Sequence, residues 1–159
     1  MVGTFRITQP GSSVATSLTA GEAERKQIGI LDIRGQQFRL LPIPLTQIRS
    51  FVIGDLSLAN QRRLDPEDPK VEQKVSRILE EQTRVLIHDA REKMQELKEA
   101  AKGAGNPIAL MEDCPLKNVI DKPEEVLVRL KVDHSGFSAL NNQRFGAKFI
   151  GEVGNPVST

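Results

Sequence analysis

The sequence contains no tryptophan and no tyrosine, and its aromatic residues are six phenylalanines. Single-strand binders stack bases on aromatic faces, so a binder of that type is disfavoured. Cysteine is nearly absent: Cys114 stands alone, which excludes an internal disulfide and leaves no zinc-binding spacing. That usage fits a reducing compartment, cytosol or nucleus. Only two histidines are present, His88 and His134. No apolar run approaches the ~20 residues needed to span a bilayer, and Met1 to Arg6 lacks the apolar core of a signal peptide. An excess of one charge is also missing, with 22 basic against 21 acidic residues and a net charge of +1. That balance argues against a strongly basic nucleic-acid binder and leaves room for a local basic face.

What is there suffices for a core. The chain has 159 residues, 38% of them hydrophobic, enough for one domain. Thr4 to Thr8 alternates and predicts a short strand on which the sequence begins abruptly, which suggests a cut upstream or else a short natural leader. Gln9 to Ser13 is turn-rich, Val14 to Leu18 predicts a second short strand, and Gly21 to Glu24 a loop. The clearest hairpin pairs Gln27–Ile33 with Phe38–Ile43 across Arg34-Gly35-Gln36. Pro42 and Pro44 end its second strand or place it at an edge. Arg49 to Leu56 is β-prone through Phe51, Val52 and Ile53.

Asp65-Pro66-Glu67-Asp68-Pro69 announces a helix, with Asp68 as cap and Pro69 suited to the first turn. Val71, Val75, Ile78, Leu79, Gln82, Leu86, Ala90, Met94, Leu97 and Ala101 form one stripe by steps of three and four. Gly103 to Pro107 ends it near Lys102. About 33 residues give roughly 50 Å, so the helix either overhangs its sheet or breaks near the middle. Residues 106–123 resemble a surface insertion. Glu125 to Asp133 alternates well and predicts a strand with Arg129 and Lys131 on one face. His134 to Phe137 is a loop. Asn142 to Val153 predicts a short helix capped by Asn141 or Asn142, with Arg144 and Lys148 one turn apart. The expected architecture is α+β: a small, mostly antiparallel sheet covered by one long helix and a short C-terminal helix.

Enzymatic signals are few. No phosphate loop, dinucleotide fingerprint, nucleophile elbow or HExxH is present. A two-metal hydrolase needs several converging His, Asp and Asn ligands. The two histidines, with Asp55 and Asp133, are the sole candidates for a mononuclear site; otherwise His88 is a solvated helix residue and His134 a loop residue. Ser12 and Ser13 could face a phosphate or form a simple turn. Cys114 has no adjacent base and is incidental. From Val126 to the end there are four basic and two acidic residues, which supports phosphate contact or an ordinary solvated face. Asn141-Asn142-Gln143-Arg144 adds amide donors. The long helix carries eight basic and seven acidic residues between Lys70 and Lys102, a balanced solvent face rather than a DNA-binding one.

Gln9-Pro10-Gly11-Ser12-Ser13-Val14-Ala15-Thr16-Ser17-Leu18 with Gly21-Glu22-Ala23 closely resembles a segment of the eukaryotic meiotic recombination eleven nuclease family, relatives of bacterial SbcD. Further matches follow in order: Ile43-Pro44-Leu45 through Arg49-Ser50-Phe51, Leu58-Ala59-Asn60, Asp68-Pro69-Lys70-Val71, Val128 to Asp133, Arg144-Phe145 to Lys148-Phe149, and Gly154-Asn155-Pro156. The resemblance covers most of the chain. It implies that residues 1–20 trail a phosphoesterase nuclease domain, as strands or linker, and that residues 21–159 are its DNA-contacting capping domain, with a surface insertion at 103–124. It further implies duplex DNA as ligand, manganese in the nuclease domain of the parent, and a nuclear location. The implied partners are the zinc-hook ATPase Rad fifty, a nibrin-type subunit and self-dimerisation. No metal and no membrane are expected for this segment. Arg129, Lys131, Asn141, Asn142, Arg144 and Lys148 are the expected DNA contacts. The alternative is a protein-docking module for the ATPase or the parent nuclease domain. Departures are visible. Gly54-Asp55 lacks the following His of a metal motif, Ile87-His88-Asp89 is helical, His134 stands where an aromatic is expected, and the stretch from Gly103 to Glu125 is long.

Overall fold

A computed structural model describes residues 5, 7–9, 11–45, 48–62, 64–103 and 125–156. The order is strand β1 (Gln27–Arg34), strand β2 (Gln37–Pro44), strand β3 (Phe51–Ser57), helix α1 (Val71–Gly103), strand β4 (Leu127–Asp133) and helix α2 (Asn142–Gly146), with a 3₁₀ turn at Ala147–Phe149. The fold is α+β, as the patterning predicts. The expected insertion falls almost wholly in 104–124, and with Cys114 it lies outside the described residues.

β1 and β2 form the antiparallel hairpin, in register from Gln27 opposite Pro44 to Arg34 opposite Gln37. Gly35 supplies the positive φ of 61° at the turn, a conformation open to glycine at no steric cost. β3 and β4 pair in parallel, from Phe51 opposite Leu127 to Ser57 opposite Asp133, where mostly antiparallel pairing was expected. The connection explains the difference: the 33 residues of α1 return the chain across the sheet, and a crossover of that kind joins parallel strands.

Neither of the two short N-terminal strands is present among the described residues, Thr4 and Arg6 lying outside them. Phe5, Ile7 and Thr8 have no regular structure, and Phe5 and Ile7 are exposed with no strand beside them among the described residues. At Val14 to Leu18 the chain bends instead, because Glu22 captures its donors. The Glu22 carboxylate accepts from the Thr16 amide, from the Thr16 hydroxyl at 2.8 Å and from the Ser17 amide at 3.0 Å. Ala20–Ala23 is a 3₁₀ turn rather than a plain loop.

α1 begins where Asp68 acts as cap: the Lys70 amide donates to its carboxylate at 2.7 Å, and Lys74 pairs with the same group. The helix runs unbroken to Gly103. At about 1.5 Å per residue it is roughly 50 Å long, against about 23 Å for a seven-residue strand, so it overhangs the sheet. Its buried stripe is Val75, Leu79, Thr83, Leu86, Ile87, Ala90 and Met94. Thr83, not Gln82, turns inward, because its hydroxyl donates to the Leu79 carbonyl at 2.7 Å and needs no outside partner.

Two clusters make the core. Val52, Leu86, Ile87, Ala90, Val126, Phe149 and Val153 form one, and Leu58, Val75 and Leu79 the other. Leu130 and Phe145 touch both. Gly54 lets sheet and helix approach: a Cβ there would lie 2.7 Å from Leu86 Cδ1. The predicted helix over Asn142 to Val153 stops at Gly146, because the following residues tighten into the 3₁₀ turn and Val153 bridges to Val126. No described helix is long and apolar enough to cross a membrane.

Candidate nucleic-acid interface

Alternation along β4 sorts its side chains. Val128, Leu130 and Val132 pack toward α1, so Arg129 and Lys131 project from the opposite face, where both are exposed. Arg129 donates to the Leu18 carbonyl at 2.9 Å, which ties the N-terminal segment to the sheet. Lys131 lies 3.9 Å from Asp55 on the neighbouring strand. Asp133 shares this face; donation from the Ser135 hydroxyl, then the Ser135 amide and the Ser57 hydroxyl, holds its carboxyl below the usual range. Two cations therefore stand among two carboxylates.

The other candidates sit on the helix side. Asn141 is the N-cap of α2, its side-chain oxygen accepting from the Arg144 amide at 2.9 Å. Asn142 opens α2. Phe145 and Phe149 anchor this segment, their ring centres 5.4 Å apart. Lys148 donates to Ser76 Oγ and to Glu80 Oε2, each at 3.2 Å, and stands 5.8 Å from the Phe145 ring centre. Glu80 also accepts from Arg84 at 3.3 Å. Lys148 and Arg84 together hold the Glu80 carboxyl below its ordinary range. Arg84 and Arg91 in turn face Glu152 at 3.6 and 3.9 Å. Lys148 thus belongs to an ionic seam fastening the C-terminal segment to α1. Arg144 is exposed and has no carboxylate partner among the described residues.

The structure therefore separates the six predicted contacts: Arg129 and Lys131 lie on one side of the sheet, and Asn141, Asn142, Arg144 and Lys148 on the other. It also adds residues that the sequence did not mark. A groove of about 480 Å³ runs between the first turns of α1 and α2, lined by Glu72, Gln73, Ser76, Arg77 and Glu80 from α1 and by Asn141, Arg144 and Lys148 from the C-terminal side. The spacing 72, 73, 76, 77, 80 already placed the α1 residues on one helical face; which segment lies across that face is a tertiary fact.

The remaining candidates carry less. Ser12 accepts from the Val14 amide at 3.4 Å and donates to the Val14 carbonyl at 2.7 Å, a local turn. His134 contacts the Phe137 carbonyl at 3.2 Å. The mononuclear grouping of both histidines with Asp55 and Asp133 does not assemble: the one cluster of three possible ligands among the described residues is His88, Asp89 and Glu92 on α1. His88 and Glu92 there are exposed, with His88 Nδ1 3.7 Å from Glu92. A manganese pair needs several His, Asp and Asn ligands converging from different elements; three side chains from one helix surface do not fit that requirement.

Comparison with known proteins gives this geometry its context. The family model for the Mre11 DNA-binding presumed domain matches residues 38–158. The double-strand break repair protein MRE11 of Arabidopsis thaliana is 39% identical over 152 residues, covering 96% of this chain and 18% of the relative. The protein of the same name from Homo sapiens is 37% identical over 155 residues, covering 96% of this chain and 19% of the relative. The chain therefore spans under a fifth of the length of these curated relatives.

Proposed function

The chain belongs to the Mre11 DNA-binding family, and from that premise we propose that it is the duplex-DNA-contacting part of a longer double-strand break repair protein working in the nucleus. The observation that carries the reading to a surface is Arg144, exposed beside the groove and free of any carboxylate partner among the described residues. A guanidinium there offers paired donors to a phosphate. Asn141 and Asn142 add short polar side chains at the same end of α2. Arg129 and Lys131 form a second patch, which a duplex would reach from the other side of the sheet. Contacts of this kind position DNA without reading its sequence and weaken as salt rises.

Fluorescence titration of a labelled duplex at two salt concentrations tests the proposal. Arg144→Glu should weaken binding and lower the salt slope by about one. Absence of binding at low salt, or equal binding by Arg144→Glu, overturns it.

A second reading is favoured by the β1–β2 hairpin. Ile28, Ile30, Leu31, Ile33, Phe38, Leu40 and Leu41 are all 40% or more exposed. A two-stranded hairpin is marginal alone, and an apolar patch of this size marks a contact surface. Here the hairpin docks on the remainder of the longer protein. Ile33→Lys should then lower the melting temperature of the longer protein and leave the 159-residue chain unaffected; no change in the longer protein rules the docking out. In this proposal, manganese-dependent cutting, the Rad fifty ATPase, the nibrin-type subunit and self-dimerisation are properties of that longer protein, and the division at residues 20 and 21 separates its nuclease and capping parts.

A further inference from the structure

The groove between α1 and α2 holds a feature that phosphate contact by Arg144 alone does not use. Glu80 stands in it with Lys148 on one oxygen at 3.2 Å and Arg84 on the other at 3.3 Å. Around it, Gln73, Ser76, Arg77 and Arg144 supply donors, and Glu72 adds a second carboxylate. We propose that this groove is a binding site for a sugar–phosphate strand of DNA and that Glu80 is its built-in competitor, occupying the place of a phosphate between Lys148 and Arg84 until DNA displaces it. The inference rests on the DNA-binding reading above and adds to it the α1 side of the site and a means of holding affinity down.

The chemistry is consistent at each atom. A carboxylate and a phosphate oxygen accept from the same ammonium and guanidinium donors in similar geometry. The side chains concerned are partly solvated, Lys148 at 42% and Glu80 at 32% exposure, and exposed ion pairs are weak enough to exchange. Among the described residues Arg77 is tied to Glu81 alone, four residues on, at 82% exposure, so it turns to a strand at little cost. The Phe145 and Phe149 anchors lie beneath the exchange and need not move. A count of charges along α1 marks it as a neutral solvent face; the fold instead places five of its residues against a basic partner segment.

The test is duplex titration of the 159-residue chain by fluorescence anisotropy, with thermal melts alongside. Glu80→Gln removes the competing charge and should tighten binding about two- to fivefold, the range of an exposed ion pair. Arg77→Glu, at a site outside the core, should weaken binding and lower the salt slope by about one. Both shifts are required. Glu80→Gln binding no tighter than the parent, with an intact melt, overturns the inference, and so does Arg77→Glu binding as the parent does. If Glu80→Gln fails to fold, Arg77→Glu alone decides. In either event a parent chain that still binds DNA, and loses binding on Arg144→Glu, leaves the broader reading standing; a parent that does not bind at low salt sinks both.

Discussion

Asn155 and Val128 form a reciprocal pair of hydrogen bonds. The Asn155 side-chain amide donates to the Val128 carbonyl at 2.9 Å, and the Val128 amide donates back to Asn155 Oδ1 at 3.1 Å. The carboxamide acts as a single peptide unit added to the free edge of β4, continuing the bridge that Val126 makes with Val153. Asn155→Ala leaves both partly buried backbone groups of Val128 without that partner, which costs about 1–3 kcal/mol. Chemical denaturation should show that loss. A midpoint unchanged from the parent would mean that water replaces the side chain without penalty.

Gly146 lies against the same C-terminal segment. A Cβ at this position would fall 1.7 Å from the Pro156 carbonyl oxygen and 2.9 Å from its carbon, and backbone cannot step aside as a side-chain tip can. Gly146→Ala should therefore displace residues 153–156 and destabilise the fold by about 1–3 kcal/mol or more. The Asn155–Val128 pair should be lost with it, so the double variant with Asn155→Ala should cost less than the sum of the two.

The Glu22 carboxyl is pushed down to about 2 from its ordinary 4.5 by donation from the Ser17 amide first and the Thr16 hydroxyl next. These bonds favour the ionised form, so the folded pKa lies below the unfolded one. Their hold on residues 16–22 is complete above about pH 4.5 and fades as pH falls toward 2. Amide exchange read by NMR should show Thr16 and Ser17 protected near neutrality and progressively unprotected across that interval. Glu22→Gln should show weak protection at every pH.

Ile87 is 2% exposed in the larger core cluster. Ile87→Ala should cost about 2–5 kcal/mol, measured as a drop in melting temperature. A cost near that of a surface substitution would show that α1 is not seated on the sheet by this residue.

Much of this was legible in the sequence. The bounds of α1 followed from Asp68 at one end and Gly103 at the other, and the β1–β2 hairpin from two alternating runs around Gly35. Local signals carried both. Ile87 escaped because it widens the buried face beyond the strict stripe, and Thr83 because its hydroxyl is satisfied by its own helix. The bend at Val14–Leu18 and the parallel direction of β3 and β4 were not written in strand patterning: the first is set by the side-chain bonds of Glu22, five to six residues on, and the second by the crossover helix. The site behaved likewise: Arg144 and Lys148 were visible as a pair on one helical face, yet Glu80 sets them apart, pairing with Lys148 and, among the described residues, not with Arg144.

The parallel pairing of β3 with β4 also bears on the order in which the chain folds. Ser57 donates to Asp133 across 76 positions of sequence at 3.2 Å, so this ladder cannot begin until a long stretch of backbone has been brought round. Helices form on a sub-microsecond scale and hairpins within about 10 μs, whereas the logarithm of the folding rate falls as contacts become more distant in sequence. α1 and the hairpin should thus be present early, and closing β3 against β4 should set the folding rate. Destabilising changes within α1 and along the β3–β4 seam should then both slow refolding and leave the unfolding rate little changed, since each is in place when the barrier is crossed.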